Sequence, residues 1–122
     1  DLFFRTSGFA PIRCEHRIFS ERFLFCGTLD AVGLLAGYRT IVDYKFGAAF
    51  HREAAAAQNG GYRVGWNENN PGALVEQLAA LHVGRDFHRL IIIPVTECAA
   101  AWNKAYNKFK EKELGGIKCL TS

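Results

Sequence analysis

Apolar residues recur along the first third of the chain in a pattern that reads as strand. They lie at 23–25, at Leu29 and Val32, at Ile41 and Val42, and within a further run at 12–19. Residues 20–23 form a short connection, and Ala36-Gly37 is a turn candidate, so three consecutive strands are predicted. Residues 48–62, alanine-rich at 54–57, read as a helix. Gly60 and Gly61 each cost about 1 kcal/mol relative to Ala there and predict an early end. Residues 65–72, with Asn67, Asn69, Asn70 and Pro71, read as a loop. Residues 78–83 and 90–95 look like strands joined around 84–88, although 74–81 also fits a helix. Leu90-Ile91-Ile92-Ile93 is continuously apolar, as in a strand buried on both faces. Thr96 then caps a last helix with Trp102, Tyr106 and Phe109 on one stripe. Gly115-Gly116 ends it, leaving 113–122 as a loose tail. This order predicts an α/β fold, a central mixed β-sheet flanked by helices, in one domain over residues 1–122.

Three acids and a lysine interrupt the apolar pattern. Charge in such a setting is costly unless it is paired or holds a metal. A hairpin turning at Ala36-Gly37 places Asp30 opposite Asp43 and Thr28 opposite Lys45, all on one face because strand side chains alternate. A connection centred between Glu21 and Arg22 puts Glu15 opposite Thr28, on that same face. A loop one residue longer or shorter would turn these side chains away. Opposed carboxylates repel in a purely structural sheet. A hard cation such as Mg²⁺ reverses this, taking one or two carboxylates with waters and phosphate oxygens. A lysine two residues after an acid can orient or deprotonate an attacking water, or stabilise charge on phosphate. For any single acid, ordinary ion pairing on a solvated face is the simpler reading. The set in register favours a metal-dependent phosphodiester hydrolase.

Along the chain stand Glu15, Gly27-Thr28-Leu29-Asp30, Asp43-Tyr44-Lys45 and Gln58-Asn59-Gly60-Gly61-Tyr62. In this order they resemble the motifs of the PD-(D/E)XK nucleases, most closely the RecB-like and phage-type exonuclease branch, over roughly residues 9–110. The resemblance implies a restriction-endonuclease-like core. It implies that Asp30, Asp43 and the backbone carbonyl of Tyr44 ligate Mg²⁺ or Mn²⁺, with Glu15 an outer or second-metal ligand. Lys45 becomes the catalytic lysine. Gln58 and Tyr62, one helical turn apart, reach the active site or the nucleic-acid backbone, and Thr28 joins the nucleic-acid-binding set. An aromatic packing role for Tyr62 is the competing reading. The implied activity is that of a deoxyribonuclease, exonucleolytic or structure-selective, in phage or bacterial DNA recombination, repair or replication. Its partner would be single-stranded, duplex-end or branched DNA. Two departures stand out: Phe46 replaces the usual Thr or Ser, and only fourteen residues precede Glu15. The N-terminal helix of the branch is therefore expected to be short or missing, with a homo-oligomer as one route to processivity. The other reading is a catalytically inactive nuclease-like module that binds nucleic acid or protein.

Composition narrows this little. The chain has 122 residues, 49% of them hydrophobic, enough for a core. It contains no apolar run of membrane-spanning length. It lacks Met and starts at Asp1, as a processed chain or part of a longer one would. A net charge of +3 is compatible with a phosphate-bearing partner. Arg5, Arg13, Arg17, Arg22, Arg52 and Lys45 share the acid-bearing half, whereas Lys104, Lys108, Lys110 and Lys112 read as a solvated helix face. Cys14, Cys26, Cys98 and Cys119 form no Cys-x-x-Cys clip, so no iron–sulfur cluster is expected. Free thiols in the reducing cytoplasm of a bacterial or phage-infected cell are the expectation. His16, His51, His82 and His88 show no ligand spacing, and His16 reads as core or surface.

Overall fold

The apolar runs of the first third become three consecutive antiparallel strands, β1 (Ala10–Ser20), β2 (Phe25–Leu35) and β3 (Tyr38–Phe46). The computed structural model of the protein describes residues 8–112 and the backbone of 118–119. The β2–β3 hairpin closes on Ala36-Gly37 as expected, with Leu35 paired to Tyr38. Both turn residues have positive φ, 54° and 84°, which gives the twist a two-residue hairpin needs.

The β1–β2 connection differs from expectation. It spans residues 21–24, with Ser20 paired to Phe25, so Thr28 lies opposite Arg17 rather than Glu15. A carboxylate on the following helix holds this loop, which has the expected four residues but lies one residue further along the chain. Ser20 Oγ donates to Glu68 Oε1 (2.8 Å), the Glu21 N–H donates to Glu68 Oε2 (2.7 Å), and the Phe23 N–H donates to Ser20 Oγ (3.0 Å). Leu24 closes the turn at φ 58°.

The chain continues as α1 (Arg52–Asn69), β4 (Gln77–Val83), β5 (His88–Ile93), α2 (Val95–Lys112) and β6 (Lys118–Cys119). Sheet order is β1-β2-β3-β4-β5. α1 crosses between the parallel neighbours β3 and β4, β5 returns antiparallel, and β6 pairs in parallel with Phe25 and Cys26 of β2. The part of the expected loose tail at 118–119 is therefore a short strand, and Gly115-Gly116 lie outside the described residues.

Glycine does not end α1. A Cβ at Gly60 would come within 2.4 Å of the Cys98 carbonyl oxygen, and one at Gly65 within 2.4 Å of Ile18 Cδ1. Close approach to α2 and β1 thus overrides helix propensity. Residues 65–69, read from sequence as loop, form the last turns instead. There Asn69 accepts from the Phe19 N–H (3.0 Å) and donates to the Phe19 carbonyl (2.9 Å), tying the helix to β1. α2 starts at Val95, and the Cys98 N–H donates to the Pro94 carbonyl (3.0 Å). Thr96 is accordingly inside the first turn and is not its cap. The aromatic stripe forms as expected. Trp102 stacks on Tyr106 (5.3 Å between centroids), and Phe23 meets both edge-on.

Both helices pack on one face of the sheet. That core contains Ile18, Leu29, Val32, Ile41, Leu78 and Ile93 under Ala55, Tyr62, Trp66 and Trp102. A smaller cluster on the opposite face joins Phe9, Ala31, Leu35, Val42, Ala79 and Leu81. Cys26 is disulfide-bonded, and its neighbour across the β2–β6 ladder is Cys119, while Cys14 and Cys98 are free. This corrects the expectation of free thiols throughout. No described helix is long and apolar enough to cross a membrane.

Candidate active site

The β2–β3 ladder runs from Leu35↔Tyr38 to Ala31↔Val42 and stops there. β2 changes its facing at the same point. Leu29 belongs to the helix-side core and Ala31 to the opposite cluster, whereas regular alternation would give them one face. Asp30 sits in the break. Across on β1, Glu15 takes φ 49° between Cys14↔Ala31 and His16↔Leu29, a conformation uncommon for a residue with a side chain. β2 and β3 therefore part where the two aspartates stand. The Asp30 side chain bridges the gap, Oδ2 accepting the Tyr44 backbone N–H at 2.8 Å.

Asp43, Lys45 and Gln58 complete the group. Asp43 is fully buried between Asp30 and Ala80, its neighbour on β4. Lys45 Nζ lies 3.0 Å from Asp43 Oδ2, and it also donates to Gln58 Oε1 from α1. The ammonium is the ion-pair partner of Asp43, whose carboxylate oxygens make no well-directed hydrogen bond among the described residues. Burial, then the adjacent Asp30 carboxyl, pushes the Asp43 pKa up from 3.8 to about 7 against the opposing pull of Lys45. In this position the ionised form of the acid is disfavoured, and added positive charge would favour it.

The other sequence-chosen residues fall elsewhere. Glu15 is exposed, and among the described residues no three of His, Cys, Asp and Glu gather as a metal cage. The third acid therefore does not join the two aspartates, because the irregularity at Glu15 turns it out of the pleat. Thr28 is exposed, next to the inward Leu29, so it points away from the helix side on which Lys45 meets Gln58. The Tyr44 side chain packs with the opposite cluster, leaving its backbone at the site. Tyr62 is fully buried in the helix-side core. Its ring packs the helix, and contact with a nucleic-acid backbone is corrected to that role.

Sequence reasoning passed over two buried polar side chains beside the group. Asn59, next to Gln58, donates to the Ala79 carbonyl (3.2 Å) and leaves its own oxygen unpaired. His82 stands beside Lys45 on β4 and bonds the Gly47 carbonyl through Nε2 (2.8 Å). A polar residue inside an alanine-rich helix was a usable signal for Asn59. For His82 only the strand pairing could have found it.

No protein-family model matches the chain, and no curated protein is similar to it. Solved structures do resemble it. A candidate exonuclease from Eubacterium rectale superposes with a TM-score of 0.68 at 13% identity, over 91% of this chain and 46% of that one. The protein SSO0001 superposes with a TM-score of 0.52 at 10% identity, over 95% of this chain and 56% of that one. This chain spans about half the length of the solved structures it matches. At these identities the likeness establishes the fold: a mixed sheet with two helices, of the restriction-endonuclease-like α/β class.

Proposed function

We propose that this protein is a Mg²⁺- or Mn²⁺-dependent deoxyribonuclease that hydrolyses phosphodiester bonds, exonucleolytically or at particular DNA structures, in bacterial or phage recombination, repair or replication. The observation that carries it is the buried Asp43 carboxylate, set between the Asp30 carboxyl and a lysine held by Gln58. Two carboxylates and a backbone carbonyl are an all-oxygen donor set, as Mg²⁺ and Mn²⁺ prefer, with solvent and substrate filling the remaining positions. Asp30, Asp43 and the Tyr44 carbonyl would hold the ion, which when bound supplies charge neutralisation at phosphate. Lys45 then orients the attacking water and faces the charge that develops on the phosphate oxygens. Gln58 keeps its ammonium in place. The likeness to a candidate exonuclease supports the same reading.

The test is cleavage of end-labelled single-stranded, duplex and flapped DNA, and of single-stranded RNA, with Mg²⁺, Mn²⁺ or EDTA, comparing wild type with Asp43→Asn and Lys45→Ala. Cutting is expected only with metal. It should disappear in Asp43→Asn, and in Lys45→Ala turnover should fall while metal affinity stays. Unimpaired cutting by folded Asp43→Asn would remove this site. Absence of cutting by the wild type on DNA and RNA would leave a module that binds without cleaving.

A further inference from the structure

From Lys45 a row of side chains continues across the sheet to residues for which hydrolysis has no use. Lys45 pairs with His82, and His82 with Arg89, so the three stand abreast on the helix side of β3, β4 and β5. Strand spacing separates Lys45 from Arg89 by about 10 Å. The middle member is sealed. His82 is 1% exposed and is covered by Phe50, with ring centroids 5.5 Å apart, and by the edge-on ring of Phe87 at 5.1 Å.

Phe87 itself remains 45% exposed, yet it is held firmly. The Gly84 N–H donates to its carbonyl (2.8 Å), and its ring lies so close over Gly84 that a Cβ there would come within 2.1 Å of it. The ring of Phe87 thus stands partly in solvent against His82, the residue that lies between Lys45 and Arg89 on the sheet. Arg89 is exposed and has no ion pair among the described residues. Arg85 at the hairpin tip adds charge of the same sign, against Asp86. Aromatic faces set among cations match one ligand closely, a single-stranded nucleic acid, whose unpaired bases stack while its phosphates meet the charges.

We propose that Phe87 and Arg89 form a subsite for an unpaired nucleotide beside the reacting phosphate, Phe87 stacking on the base and Arg89 meeting the next phosphate. The substrate of this site is accordingly a single strand or a frayed end. The placement relative to the reacting phosphate rests on the hydrolase reading, but occupancy of the subsite requires neither metal nor cleavage. In a duplex the base faces are already stacked, so paired DNA offers Phe87 nothing to take.

Binding is tested in EDTA with a single-stranded oligonucleotide carrying 2-aminopurine, with the same sequence as duplex, and with an abasic version. Phe87→Leu keeps an apolar cover on His82 while removing the stacking face. Arg89→Ala alters an exposed position, and Phe46→Ala removes an exposed ring from the opposite face, beside Val83. Wild type should prefer the single strand by at least about tenfold and should change the probe's emission. Phe87→Leu should abolish that change and weaken binding about tenfold, to the level of the abasic strand. Arg89→Ala should weaken binding and lower its salt dependence, and Phe46→Ala should match wild type. A duplex preference, wild-type binding by both subsite variants, or a loss confined to Phe46→Ala would overturn the subsite. The same proteins assayed with Mg²⁺ separate the two readings. Cleavage with an indifferent subsite leaves the hydrolase standing, and the subsite effects without cleavage leave the subsite.

Discussion

Asp43 concentrates the chemistry of the molecule in one side chain. Its pKa stands near 7 when folded and near 3.8 in the unfolded chain. The folded state therefore holds the extra proton between those values, and stability falls as pH rises through that window. Below about pH 4 both states carry the protonated acid and the cost vanishes. In EDTA, Asp43→Asn should be more stable than wild type by roughly 2–4 kcal/mol at pH 8. The difference should close by pH 4. Thermal melts of the two proteins across this range check it, and parallel curves would show that Asp43 is not strained. Glu15 poses a separate question, because its positive φ disfavours branched side chains. Glu15→Val should lose about 1–2 kcal/mol relative to Glu15→Gly, measured by denaturant unfolding.

Among the elements, the β2–β3 hairpin and the α1–α2 contact carry the strongest local demands. Ala36 occupies a left-handed position that an Asn-Gly turn fills more readily. Ala36→Asn should therefore stabilise the fold by about 1 kcal/mol. Gly60 lies against the backbone of α2, where a methyl group meets a carbonyl oxygen that cannot move without shifting the helix. Gly60→Ala should cost about 1–3 kcal/mol despite alanine's better helix propensity. Urea melts of both variants give the signs, and a stabilised Gly60→Ala would mean the helices are free to separate.

At the scale of the whole molecule, α1 links fold and site. Its C-terminal end ties down the β1–β2 loop through Glu68 and the outer edge of β1 through Asn69, while Gln58 reaches Lys45. A cation that neutralises the aspartates should therefore be read out as global stability, through mass action on the folded state. With Mn²⁺ at 100 times its dissociation constant, the wild type should gain about 2.7 kcal/mol at pH 8. Asp43→Asn should gain far less. Equal gains in the two proteins would place the ion elsewhere.

The sequence by itself determined the element order from β1 to α2, the Ala36-Gly37 hairpin, and the approach of Asp30, Asp43, Lys45 and Gln58. Each follows from a short-range rule: alternation along a strand, a two-residue turn, a helix packed beside the strand it follows. Tertiary structure alone decided the rest. Glu68 reaches back to the β1–β2 loop and holds it one residue further along the chain than expected, which moves the β1 register away from the expected pairing. The break at Asp30 and Glu15 exists only because two strands change facing together, so it left Glu15 and Thr28 outside the group that arithmetic had assigned them to. Tyr62 looked like a reaching side chain because spacing cannot tell an outward helix position from one pressed onto a sheet. Gly60 and Gly65 looked like helix breakers because propensity contains no information about a neighbouring backbone, and that neighbour is what makes glycine necessary here.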